Sequence, residues 1–108
     1  MHNTNNNNNR AFTPLVRYHN LILEKSEILF NNKGRTGIYL WTHVESGKIY
    51  LSSAFELSDR LRRYFSTSEL KRGDNYIYRA LISHTHSTFS LAILEYINIT
   101  NLSKKRST

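Results

Sequence analysis

The sequence predicts a single small α/β domain, with a three-stranded antiparallel or mixed sheet flanked by helices. Two β-rich runs, at residues 36–42 and 48–52, are joined through the turn signal Ser46-Gly47 and read as a hairpin. Helical periodicity stands on both sides of that pair. The length of 108 residues leaves room for one hydrophobic core and not for two.

Six of the first nine residues are Asn. Such a tract buries nothing that would offset the entropy of ordering, so residues 1–13 are expected to be a disordered tail and residues 14–97 the folded domain. Pro14 marks the change into Leu15-Val16-Arg17-Tyr18. From Asn20 onward, Leu21, Ile22, Ile28 and Leu29 recur at i, i+1, i+7 and i+8, with Glu24 and Lys25 between them, which is the spacing of an amphipathic helix. Asn31-Asn32-Lys33-Gly34 ends it, because Asn and Gly tolerate the left-handed conformation that closes a helix.

After the hairpin, Ser53-Ala54-Phe55-Glu56 has the Ser-x-x-Glu form of a capping box. Leu57, Leu61, Tyr64 and Phe65 follow it at helical spacing. Residues 66–74, containing Lys71-Arg72-Gly73, read as a polar loop. Residues 75–83 read as another helix with Ile77, Ala80 and Leu81 inward, and residues 89–97 as a buried strand. Residues 98–108 include Lys104-Lys105-Arg106 and are expected to form a solvated basic tail.

Composition excludes several classes of function. With no cysteine, a disulfide framework, a thiolate zinc site and a cysteine nucleophile are ruled out. No apolar run approaches the roughly 20 residues of a membrane-spanning helix. The 15 Lys+Arg against 8 Asp+Glu leave a formal charge of +7, and the pI is near 9.9. That balance points to a polyanion, either nucleic acid or an acidic membrane surface. One three-residue basic cluster is too little for stable membrane anchoring, so nucleic acid is the expected partner.

Four residues could carry chemistry. Tyr39 and Tyr50 lie one hairpin apart, and Arg60 follows on the next helix with Tyr64 one turn later on the same face. Phenols and a guanidinium facing one another fit phosphodiester chemistry: a phenol can exchange a proton with an attacking water, and Arg can hold a phosphate through two hydrogen bonds. By spacing alone, the same residues are also ordinary strand and helix positions. His84 and His86 form a His-x-His pair that reads either as a polar loop or as two metal ligands lacking a third. Arg62, Arg63, Lys71 and Arg72 extend the positive charge beyond Arg60, and Tyr64, Tyr76 and Tyr78 interleave aromatic surface. This pattern suits a DNA-backbone contact surface.

Gly37-Ile38-Tyr39 followed by Tyr50-Leu51-Ser52 resembles the GIY-YIG nuclease signature. The wider stretch, Asn32-Lys33-Gly34-Arg35-Thr36-Gly37-Ile38-Tyr39-Leu40-Trp41-Thr42 and then Gly47-Lys48-Ile49-Tyr50, is similar to homing endonucleases encoded in organelle group I introns, best known from fungal mitochondria. Leu57-Ser58-Asp59-Arg60-Leu61-Arg62-Arg63-Tyr64 resembles the following helix of that group. Ile77-Tyr78-Arg79-Ala80-Leu81 and Phe89-Ser90-Leu91-Ala92-Ile93-Leu94-Glu95-Tyr96 resemble its next helix and third strand.

The resemblance implies a small DNA-cutting domain that uses one divalent cation, usually Mg²⁺. It casts Tyr39 as general base or water positioner, Tyr50 as its support, Arg60 as phosphate and transition-state stabiliser, and Tyr64 in the place of a family His or Tyr. DNA is the implied partner of what is expected to be a monomer, with no membrane or small-molecule substrate and a mitochondrial location. Two positions depart from the pattern. Ser52 stands where the second motif has glycine, which is acceptable in a strand unless the site needs positive φ. Where the family carries its metal-binding Glu on a final helix, Asn98-Ile99-Thr100-Asn101-Leu102-Ser103-Lys104-Lys105-Arg106 offers no carboxylate. Glu95, at the end of the third strand, reads as a surface carboxylate. The expectation is an endonuclease domain truncated before its metal-binding helix and catalytically impaired. Its alternative is a non-catalytic, basic nucleic-acid-binding remnant.

Overall fold

The computed structural model describes residues 13–73 and 75–98, so the Asn-rich start and the basic end lie outside the described residues, apart from Thr13 and Asn98. Their element order is β1 (Val16–Tyr18), α1 (Lys25–Asn31), β2 (Thr36–His43), β3 (Ile49–Ala54), α2 (Leu57–Tyr64), α3 (Thr67–Arg72), α4 (Tyr76–His84), a 3-10 turn (His86–Thr88) and β4 (Phe89–Ile97). The sheet has four strands in the order β1-β4-β2-β3, and every neighbouring pair is antiparallel.

The fourth strand corrects the three-stranded expectation. β1 is three residues long, too short for alternation to register as a pattern. Its pairing with distant β4, Val16 opposite Ile93 and Tyr18 opposite Leu91, makes it a strand. The hairpin forms as expected around Ser46-Gly47, where Gly47 takes φ +78°, a left-handed value open to glycine at little cost. β4 coincides with the predicted run.

The helices differ from expectation in three places. α1 starts at Lys25 rather than Asn20. Leu21 and Ile28 are buried and Ile22 is exposed, so only part of the apolar spacing faces the core. At α2 the capping residue is Glu56 itself, whose carboxylate accepts from the Asp59 N–H at 2.9 Å. Its other oxygen accepts from the Gly34 N–H. Ser53 cannot cap because β3 runs through it, opposite Ile38. Residues 67–72, expected in a loop, form the short helix α3. Ser66 caps it by accepting from the Glu69 N–H at 3.3 Å, and buried Leu70 anchors it.

Alternation along the strands decides which side chains face the helices. On β2 these are Tyr39, Trp41 and His43, and on β4 they are Phe89, Leu91 and Ile93, all buried. Leu57, Leu61, Tyr64, Ile77, Tyr78 and Leu81 meet them from the helical layer. Between Ile38 and Tyr39 the register against β4 shifts by one, leaving Leu94 opposite no residue of β2. Just before this shift, β2 and β4 approach so closely that a β-carbon on Gly37 would run into the Glu95 carbonyl oxygen, with Leu57 Cδ1 at 3.1 Å. That is why glycine stands there. No described helix is long and apolar enough to cross a membrane.

Candidate active site

Cross-strand register brings the hairpin residues together. Tyr39 lies opposite Ser52 and Trp41 opposite Tyr50, all on the face that meets the helices. α2 crosses above this face and presents Arg60 and, one turn later, Tyr64. Tyr50, Ser52, Arg60, Tyr64, Asn75 and Tyr76 border one cleft of about 250 Å³. Three of the four expected site residues therefore share a single space.

Tyr39 sits behind the cleft. Its ring is 0% exposed, and its hydroxyl lies 2.7 Å from the Tyr64 hydroxyl. The two rings meet edge to face at 6.0 Å. Any influence of Tyr39 on a bound group thus passes through Tyr64. The tilted Trp41 ring, 5.0 Å from that of Tyr64, packs against the same phenol.

Burial pushes the Tyr64 phenol far above its ordinary pKa. The Tyr39 phenol and its hydrogen bond add to the shift, Tyr78 adds less, and the Arg60 guanidinium offsets part of it. Tyr64 is consequently a neutral phenol across the physiological range. It can donate a hydrogen bond to a phosphate oxygen or orient a water, whereas acting as a base would first require losing its own proton.

Arg60 is half-buried, and no ion pair to it forms among the described residues. A guanidinium held this way in a cleft wall suits an oxyanion. Ser52 belongs to the regular strand β3 and does not have positive φ, so its side chain borders the cleft without backbone strain.

The described cleft wall does not suit a hard dication. It offers phenol, hydroxyl, amide and guanidinium groups but no carboxylate. Among the described residues no group of three or more His, Asp or Glu could hold a metal ion. The His-x-His pair divides its tasks. The His84 ring lies 4.3 Å from that of His43, whereas His86 stacks on Phe65 and donates from Nε2 to the Tyr64 carbonyl at 2.5 Å. Glu95 is an exposed residue of β4.

The basic residues expected at a DNA surface lie apart from the cleft. Arg62 pairs with Asp59 at 2.9 Å and Arg72 with Glu69 at 2.6 Å, both on exposed helical surface. Arg62 and Arg63 border a separate depression together with Asp59 and Glu69. Lys71 is exposed on α3. A phosphate reaching Arg62 or Arg72 must compete with a carboxylate one turn away.

Two cleft residues escaped the sequence reading of the site. Trp41 was legible in principle, because it stands two residues beyond Tyr39 on the same strand face. Asn75 was not, since it reaches the cleft only by capping α4, where its side chain accepts from the Tyr78 N–H at 2.9 Å.

No family model matches the sequence, and no curated protein matches it. Among solved structures, the chain is similar to the catalytic domain of the intron endonuclease I-TevI in a mutant form, with 24% identity and a TM-score of 0.48 over 68% of this chain and 76% of that one.

Proposed function

We propose that this chain is a GIY-YIG-type DNA endonuclease domain that holds a phosphodiester in the Arg60 cleft and cleaves it poorly. The observation that supports this reading is the shared cleft of Tyr50, Arg60 and Tyr64, with Tyr39 bonded to Tyr64 from behind. A guanidinium and two phenols around one space support a reading in which a phosphodiester is held there.

In this reading Arg60 grips the phosphate through two hydrogen bonds and offsets charge that develops on its oxygens. Tyr64, kept neutral, donates to the phosphate or orients water, and Tyr39 fixes the direction of that hydroxyl. Tyr50 forms the opposite wall. A divalent cation would add leaving-group stabilisation, but the described wall has no carboxylate to hold one. The same lack favours the rival reading, a non-catalytic binding domain with the same cleft.

Nicking of supercoiled plasmid across Mg²⁺ and Mn²⁺ series, with Arg60→Ala as control, tests the proposal alongside duplex binding by fluorescence anisotropy. The expected outcome is Arg60-dependent duplex binding with slow, metal-dependent nicking that is absent in Arg60→Ala. Binding with no nicking at any metal concentration supports the non-catalytic rival. If Arg60→Ala leaves both binding and nicking unaltered, the cleft is not the site.

A further inference from the structure

Beside the cleft, and sharing Tyr50 and Tyr76 with it as common walls, lies a larger groove of about 480 Å³. Its size falls in the range of roughly 300–1,000 Å³ typical of ligand pockets. Lys48 enters from the hairpin side, and Arg79 and His84 enter from α4. Among the described residues that line the groove, the charged ones are Lys48 and Arg79.

Tyr76 is the second feature. It stands at the start of α4 on the boundary between groove and cleft and is 77% exposed. The Arg79 guanidinium lies 5.4 Å from the centre of its ring. An exposed aromatic ring beside cationic side chains, in a groove leading out of a phosphate-sized cleft, is the combination by which proteins hold single-stranded nucleic acid. Bases stack on the ring, and the backbone follows the positive charge.

We infer that this groove is a single-strand subsite. It takes the nucleotide next to the phosphate in the Arg60 cleft, with its base stacked on Tyr76 and its phosphates held by Lys48 and Arg79. The inference rests on the proposed phosphodiester reading of the cleft and adds to it a preference for DNA that is unpaired beside the bound phosphate. Lys48 and Arg79 supply positive charge next to the cleft.

The test uses the full chain and a fluorescein-labelled oligothymidylate of twelve nucleotides, with a twelve-base-pair duplex measured in parallel. Tyr76→Ala is expected to weaken oligothymidylate binding about tenfold, as the loss of one stacked base implies. Tyr76→Trp is expected to restore the binding. Joint substitution Lys48→Ala and Arg79→Ala is expected to lower the slope of log affinity against log salt by about 1.4, from two single-strand phosphate contacts. Thermal melts of each variant check that the fold is intact, and all three positions are exposed. Oligothymidylate affinity within twofold of wild type in both Tyr76→Ala and the double variant overturns the subsite. If duplex binding remains Arg60-dependent in that case, the cleft reading stands and the subsite alone fails. Loss of Arg60 dependence marks failure of the cleft reading itself.

Discussion

Two clusters in this domain are built from the same side chains, tyrosines with an arginine beside them, and they do different things. On the β3 side of the sheet, Tyr39 bonds to Tyr64, and Arg60 stands next to Tyr64 in a cleft wall. On the β1 side, Tyr96 donates to Asn32 Oδ1 at 2.8 Å. Asn32 Nδ2 in turn donates to the Ile28 carbonyl at 2.7 Å and lies 3.4 Å from the Tyr18 hydroxyl. Arg35 lies over the Tyr96 ring, 3.7 Å from its centre. The polar centre of this second cluster is closed, with Arg35 exposed on its outer side. The guanidinium covers a ring, and a fully buried amide takes up the hydroxyls. The first is open, because Tyr64 and Arg60 line a cleft. Residue type does not separate an open cleft from a brace; room in front of the polar atoms does.

Gly37 connects the two clusters, pairing with Tyr96 on one strand and standing two residues before Tyr39 on its own. Gly37→Ala is expected to have the largest effect. The added methyl meets backbone rather than a flexible side chain, and separating β2 from β4 should cost about 3 kcal/mol or more in urea denaturation. Both clusters should loosen together.

Asn32→Ala breaks the closed cluster alone. It leaves the Tyr96 hydroxyl and the Ile28 carbonyl without this partner, so a loss of about 2–3 kcal/mol is expected. DNA affinity of the folded protein should stay the same. A matching fall in affinity would show that the two clusters are coupled.

Tyr64→Phe breaks the open cluster and leaves the buried Tyr39 hydroxyl unpaired, at an expected cost of about 1–2 kcal/mol. Adding Tyr39→Phe should recover part of that loss, since both polar ends are then gone, and a double-mutant cycle reads the coupling. The variant also sharpens a pH comparison. Burial holds the Tyr64 and Tyr96 phenols above their ordinary value of about 10. Each neutral phenol therefore contributes stability that is complete below about pH 10 and is lost as pH rises from there toward the raised folded value. Removing Tyr64 should flatten the alkaline fall in melting temperature.

The smallest effects on stability are expected at the two arginines, and they should diverge in function. Arg35→Ala should cost about 0.5–1 kcal/mol through the lost ring contact and leave DNA binding intact. Arg60→Ala should barely move the melting temperature and should weaken duplex binding. Equal effects of the two on binding would erase the distinction between brace and site.

Much of this arrangement was legible from the chain. Alternation and turn chemistry give the hairpin, its Ser46-Gly47 turn and β4, and in the structure Tyr50, Arg60 and Tyr64 border one cleft. The capping signal at Ser53 does not start a helix. Ser53 and Glu56 have the right spacing, but strand pairing claims Ser53, while the same pattern at Ser66 and Glu69 does start a helix. Local sequence marks Asn32 only as a helix end, because nothing within a few residues of it announces that Tyr96 will bond to it.

Local spacing along the chain determined the turns, most of the helix positions and which strand residues share a face, since each depends on neighbours within about one or two turns of chain. Contact between distant segments decided the rest. β1 exists because β4 offers it an edge, and Tyr39 is sealed behind Tyr64 by a helix that begins eighteen residues later. Arg62 and Arg72 face nearby carboxylates, while Arg60, on the same helix as Arg62, faces a cleft. Whether a polar atom ends in a bond, under a ring or at open space depends on packing in three dimensions, and short-range sequence pattern does not carry that information.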